Sequence, residues 1–176
     1  MRPEWLMEGA RKDAQSVTAD WVDVREQRID GVLLRESKVV GKPNGYVVEV
    51  FRSDWFDEPQ PVDQVFITAL TPGGVSAWHA HGTTVDRLFV SSGRVLVALY
   101  DGRGGSPTQG VVNTFVLGDQ RPGLVVVPPG IWHGVRNVGE GTAQVINAVD
   151  VAYRYEDPDH WRVPADSGVI PFDILA

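Results

Sequence analysis

The sequence contains no cysteine, so a disulfide framework and thiolate catalysis are both excluded. Basic residues are in the minority: Lys plus Arg is 16 against 23 Asp plus Glu, a formal net charge of -7. That balance argues against nucleic acid or an anionic membrane as a partner, while leaving room for a local basic pocket. No apolar run approaches the roughly 18 residues that a membrane-spanning helix needs. The first twenty residues carry charges throughout and lack an apolar core followed by a cleavage signal, which predicts a soluble, cytoplasmic protein. Amphipathic helices of three turns are missing as well. Histidine is scarce, with four in the chain, and so the places where it occurs are informative.

What is present is turn chemistry and short apolar alternation. The chain has 19 Gly and 12 Pro in 176 residues, a length that suits one domain with its own core. Strands are predicted over 31–40, 46–51, 64–70, 76–81, 87–90, 94–100, 111–117, 123–127, 132–137 and 142–153. The punctuation comes from turns such as Gly41 to Gly45 and a hairpin connection at Thr71 to Gly74. A short strand or arm is also read over Asp20 to Val24. The pattern predicts an all-β fold, a double-stranded β-helix of the jelly-roll barrel kind. Residues 1–30 are assigned as a lead-in or dimer arm, 31–156 as the barrel, and 157–176 as a wrap-around tail.

The candidate site falls between Gly73 and Gly93. His79 and His81 sit two apart on a predicted strand, so both side chains leave one face. Asp86 follows five residues after His81, and His133 stands behind Pro128-Pro129-Gly130. Three imidazoles and a carboxylate are a common ligand set for a catalytic divalent metal, and iron, nickel, zinc, cobalt and manganese all suit it. Strand alternation sends Trp78 and Ala80 away from the histidines.

The spacing from Gly73 through His79, His81 and Asp86 to Gly93 resembles the first motif of the cupin superfamily, with Asp in place of its usual Glu. Gly123, Pro128, Gly130, His133 and Asn137 resemble the second. That resemblance implies His79, His81, Asp86 and His133 as metal ligands.

From Gly31 to Ile174 the chain also resembles the dTDP-4-dehydrorhamnose 3,5-epimerase family. The resemblance is carried by Gly45-Tyr46, Glu49, Phe51-Arg52-Ser53-Asp54, Gln64, His79, Asp101 with Arg103, Ser106-Pro107-Thr108, and His133-Gly134. It implies a homodimer and proton removal next to a ketone without a metal. His79 would be the general base, paired with Asp166, and Glu49, Arg52, Gln64, Arg87 and Asn147 would be substrate-binding positions. The departures fall on the chemistry. Family arginines correspond to Asn44 and Ser76, and the general-acid tyrosine corresponds to Asn147, whose amide cannot donate a proton as a phenol does.

Three functions follow. The departures put first a metal-dependent cupin enzyme acting on a small polar, carbonyl- or carboxylate-bearing metabolite. The alternatives are a metal-free sugar epimerase using His79, and a non-catalytic sugar- or metabolite-binding cupin.

Overall fold

The computed structural model describes residues 3–19, 24, 27–57 and 61–176. The strand read over Asp20 to Val24 falls mostly outside the described residues. The chain runs β1 (Leu33–Glu36), β2 (Val40–Lys42), β3 (Gly45–Val47), a 3-10 turn (Ser53–Trp55), β4 (Gln64–Leu70), β5 (Val75–Ala80), β6 (Asp86–Ser92), β7 (Arg94–Asp101), β8 (Val112–Gly118), β9 (Gly123–Val127), β10 (Ile131–Asn137), β11 (Ala143–Val149) and β12 (Trp161–Arg162). No helix among the described residues is long and apolar enough to cross a membrane.

The strands form two five-stranded sheets, ordered β1-β9-β6-β11-β4 and β12-β5-β10-β7-β8, beside the small β2-β3 hairpin. The expected closed jelly-roll barrel is therefore corrected. Each sheet is open, with β1 and β4 as edges of one and β12 and β8 as edges of the other. Closure needs the first and last strands of a sheet to pair, and among the described residues no such ladder joins them. The predicted hairpin at Thr71 to Gly74 is also corrected: it carries the chain from β4 in one sheet to β5 in the other.

Alternation explains the layers. On β7, Val95, Val97 and Leu99 enter the central core, where they meet Leu88 and Val90 of β6 and Val125 and Val127 of β9. Ala98 and Tyr100 of β7 face the other way, under Ile170, Phe172 and Ile174 of the tail. Phe89, Leu124 and Val126 point outward from the first sheet, where Val48, Phe51, Trp55 and Phe56 cover them. Strands covered on both faces read as continuous apolar runs, which is why Gly123–Val127 is buried throughout. The predicted strand over 46–51 ends at Val47 because the residues after it form this outer cover.

A register shift shapes the second sheet. His133 pairs with His79 but Val135 pairs with Ser76, so β5 spends three steps where β10 spends two. The bulge puts Ala77 and Trp78 together on the outer face while Ser76 and His79 both reach the inner one. Opposite it stands Gly134, where a Cβ would lie 2.4 Å from the Ala77 Cβ and 3.0 Å from Ile174 Cδ1. The missing side chain is what lets β10 and β5 come together beside the histidines.

Candidate active site

A cavity of about 770 Å³ is lined by residues of both sheets. The second sheet supplies His79 and His133, register partners whose ring centroids are 4.3 Å apart. The first sheet supplies Gln64 of β4, Asp86 of β6 and Asn147 of β11. His81 follows β5, at the start of the crossing between the sheets. Inner-face positions 86, 88 and 90 of β6 thus carry Asp, Leu and Val in turn, so the strand that builds the core also aims the carboxylate.

Asp86 is the hub. Its Oδ2 lies 2.8 Å from His133 Nε2 and 3.1 Å from His81 Nε2. Its Oδ1 accepts a 2.8 Å hydrogen bond from Asn147 Nδ2, and Asn147 Oδ1 accepts one from the Arg87 backbone N–H at 3.0 Å. Burial alone would raise the Asp86 carboxyl, but the two imidazoles hold it well below the usual range. His133 Nδ1 donates to the Ile131 carbonyl at 3.0 Å, and His81 Nδ1 donates to the Asp159 carbonyl. Carbonyls only accept, so both rings carry a proton at Nδ1 and turn Nε2 toward the carboxylate. For His81, burial opposes the charge, yet the contact with Asp86 outweighs it and the net shift is upward.

His79 differs. Its Nδ1 is buried without a hydrogen-bond partner, and its ring forms part of the cavity wall. Burial first, and then His133 and His160, push it down to about 2.

The outer wall comes from the tail. The Asp159 carboxylate accepts from the backbone N–H of Gly82, Thr83 and Thr84 at 2.6, 2.8 and 3.1 Å and from the hydroxyls of Thr83 and Thr84. These bonds hold the carboxylate below its ordinary range against the effect of burial. They also strap the tail over the crossing that leads to Asp86. His160 then sits with its ring centroid 5.1 Å from His79 and 5.0 Å from His81.

Of the residues singled out in the sequence, His79, His81, Asp86, His133, Gln64 and Asn147 come together on this wall. Four do not. Arg87 alternates to the opposite face of β6, where its guanidinium lies 5.8 Å from the Phe51 ring centroid. Arg52 is at the surface with Glu49 and Asp54, at 3.1 and 2.5 Å. Glu49 and Asp166 are exposed and off the cavity wall. Sequence reasoning did not assign Asp159, His160, Arg154 or Arg162. The one available signal was His160 itself, the fourth of four histidines, next to an Asp-Pro-Asp turn.

Residues 26–169 match the model of the dTDP-4-dehydrorhamnose 3,5-epimerase family. The chain is 38% identical over 139 residues to a probable low-salt glycan biosynthesis epimerase of Haloferax volcanii, covering 78% of this chain and 89% of the relative. It is 30% identical over 145 residues to a spore coat polysaccharide biosynthesis protein of Bacillus subtilis, covering 82% and 95%. Among solved structures, a dTDP sugar isomerase from Desulfovibrio desulfuricans matches with a TM-score of 0.75 and 30% identity, over 82% of this chain and 90% of that one. An epimerase from Legionella pneumophila in complex with dTDP-4-keto-L-rhamnose matches with a TM-score of 0.74 over 84% and 80%. At 20% identity it speaks to the fold alone.

These matches correct the metal-dependent cupin reading and the divalent cofactor with it, because the matched family works by metal-free acid–base chemistry. The geometry gives the physical reason the sequence misled. Ligand-capable atoms of His81, Asp86 and His133 do lie within 4.8 Å of one another, but His79 is outside that group. The Asp86 carboxylate is already engaged by two imidazoles and an amide. A non-catalytic binding role is set aside on the same ground. With both sheets, the cavity and most of the strap inside the matched span, the chain is an isomerase that belongs to the dTDP-4-dehydrorhamnose 3,5-epimerase family.

Proposed function

We propose that this enzyme epimerises a nucleotide-linked 4-keto deoxysugar, with His79 removing the proton next to the ketone. The observation that carries the reading is an imidazole with an unpartnered Nδ1 on the wall of a cavity of about 770 Å³, within the range of small-molecule sites. The proton from carbon passes to the His79 ring, and the C–H electron pair moves into the enolate. The negative charge then develops beside His81, the imidazole whose protonated form the fold favours. His79 releases its proton to solvent, and a proton from solvent added to the opposite face of the enolate inverts the carbon. Gln64 orients the sugar from the β4 side, whereas Asn147 fixes Asp86 and thereby the two clamped histidines.

The reaction has a direct signature. Incubation of the protein with dTDP-4-keto-6-deoxyglucose in deuterium oxide is expected to place deuterium at carbons flanking the ketone. Absence of exchange at enzyme concentrations that turn over a family epimerase would reject the assignment.

A homodimer and a cytoplasmic location belong to the same proposal. Val65, Phe66 and Ile67 are 60%, 41% and 59% exposed on β4, an open sheet edge. A second copy, joined in part by residues 1–30, would cover that edge. Light scattering at micromolar concentration is expected to return twice the chain mass, and a monomer mass would count against the arrangement.

A further inference from the structure

We propose that His160, on the strap, is the residue that positions His79. Through one bridging water, its Nε2 accepts the hydrogen bond of the His79 Nδ1–H, which keeps Nε2 of His79 free to take the proton from carbon. The role at carbon rests on the epimerase reading; the pairing of the two rings rests on the strap.

The neighbours of His79 decide its partner. The rings of His133, His160 and His81 surround it, with centroids at 4.3, 5.1 and 6.1 Å. Two of these rings have nothing left to offer. His133 and His81 each give Nδ1 to a backbone carbonyl and turn Nε2 to the Asp86 carboxylate. Outside that clamp, His79 Nδ1 and His160 Nε2 are the ring nitrogens left buried and unpartnered. They belong to neighbouring rings, and each satisfies the other when one carries a proton and the other a lone pair. Neither has a protein atom in hydrogen-bond geometry, and a single water spans the separation between rings at this distance.

The direction of the bond follows from the surroundings. Burial first, then the charges of Arg162 and His81, hold His160 below its ordinary value, which favours an uncharged ring with a lone pair. The ring is partly exposed, so its own proton can sit at Nδ1 while Nε2 points inward. His79 then carries its proton at Nδ1, and Nε2 takes the second one from carbon. The same bond holds the imidazolium until Nε2 releases that proton to solvent.

His160 also stands between two anchors. On one side the Asp159 carboxylate accepts from Gly82, Thr83 and Thr84; on the other, Trp161 and Arg162 pair with Ala80 and His79. The His160 N–H donates to the Pro158 carbonyl at 2.8 Å. A ring on so constrained a backbone is in place before substrate arrives. Asp166, which the family resemblance pairs with the base, is exposed and off the cavity wall, and so leaves that role to the strap.

The test is nitrogen-15 NMR of the histidine side chains in the full chain, with His79 identified by its loss in His79→Gln. The parent is expected to show His79 as the Nδ1–H tautomer. His160→Leu, which fills the space without an acceptor, is expected to lose that preference. His160→Gln, whose Oε1 still accepts, is expected to keep it. Turnover of a nucleotide-linked ketosugar is the second readout. In His160→Leu, kcat is expected to fall roughly tenfold or more with KM little changed, as loss of a hydrogen bond to the base does, and His160→Gln should recover it. A merely structural role would not follow the acceptor in this way. An Nε2–H tautomer in the parent, which needs no variant to fold, would overturn the pairing. So would an unchanged tautomer in His160→Leu, or equal loss of kcat in both variants. Absence of turnover by the parent would instead sink the epimerase reading, and the tautomer would still decide the pairing.

Discussion

His79→Ala is expected to lower epimerisation by about 10²–10⁴-fold, the range that a positioned general base contributes. Asn147 is an amide tied to Asp86 and to the Arg87 N–H, so it cannot take over the proton. Proton abstraction should fail while ligand binding persists, and deuterium exchange should fall in parallel with turnover. Exchange at the parent rate would remove His79 from the role of base. The same residue leaves a mark on stability. Its folded-state value is about 2 against an ordinary 6.5, so between those values the unfolded chain binds the proton and the folded chain does not. The stability held above pH 6.5 is therefore lost as pH falls, at up to about 1.4 kcal/mol per pH unit for one proton. His160, lowered by burial and by the Arg162 charge, adds to that slope, whereas the upward shift of His81 opposes it. His79→Ala should flatten acid unfolding between pH 6 and 4, roughly the window that the ordinary histidine value sets.

Asp101→Ala is expected to cost about 1–3 kcal/mol, the range for leaving buried hydrogen-bonding groups unsatisfied. Asp101 ends β7 fully buried. Its Oδ1 accepts from the Arg103 backbone N–H at 3.0 Å and from Nε at 2.9 Å. Its Oδ2 accepts from Arg103 Nη2, Ser106 Oγ and Thr108 Oγ1 at 3.0, 2.6 and 2.7 Å. Arg103 then donates to the Asp30 carbonyl at 2.8 Å, and Thr108 Oγ1 accepts from the Asp30 N–H at 2.9 Å. One carboxylate thus holds the Gly-rich loop and fastens the chain entering β1 to it. The Arg103 bond, ahead of the opposing effect of burial, keeps the acid well below its usual range. This contribution is present above the ordinary carboxylate value and is lost as pH falls below it. Chemical denaturation at pH 7 measures the difference, and a loss under about 1 kcal/mol would contradict the assigned role.

Much of the site was legible because strand geometry is local. A two-residue repeat puts His79 and His81 on one face whatever the fold, and the Pro-Pro-Gly turn before His133 marks a second strand beginning in the same way. The same alternation separates Asp86 from Arg87, which the structure sends to opposite faces of β6. Strand identities from β4 to β11 followed from the same periodicity and the turns between them.

Tertiary structure decided the rest. Imidazoles and a carboxylate at these spacings read alike whether they surround a metal or contact one another, and the distinction rests on which atoms converge: Asp86 meets His81 and His133, and His79 stands apart. Alternation fixes the face of each strand but not its sheet, so the crossing at Thr71 to Gly74 and the open edges were beyond it. The bulge that sets Ser76 beside His79 arises from pairing with β10 and has no mark in β5 alone. The strap lies nearly eighty residues from His79 and His81 in sequence, and it reaches them through a two-residue strand and the Asp159 carbonyl. Local sequence sets the direction of a side chain, but the groups it meets are set by long-range pairing, and so His160, Arg154 and Arg162 entered the site only with the folded chain.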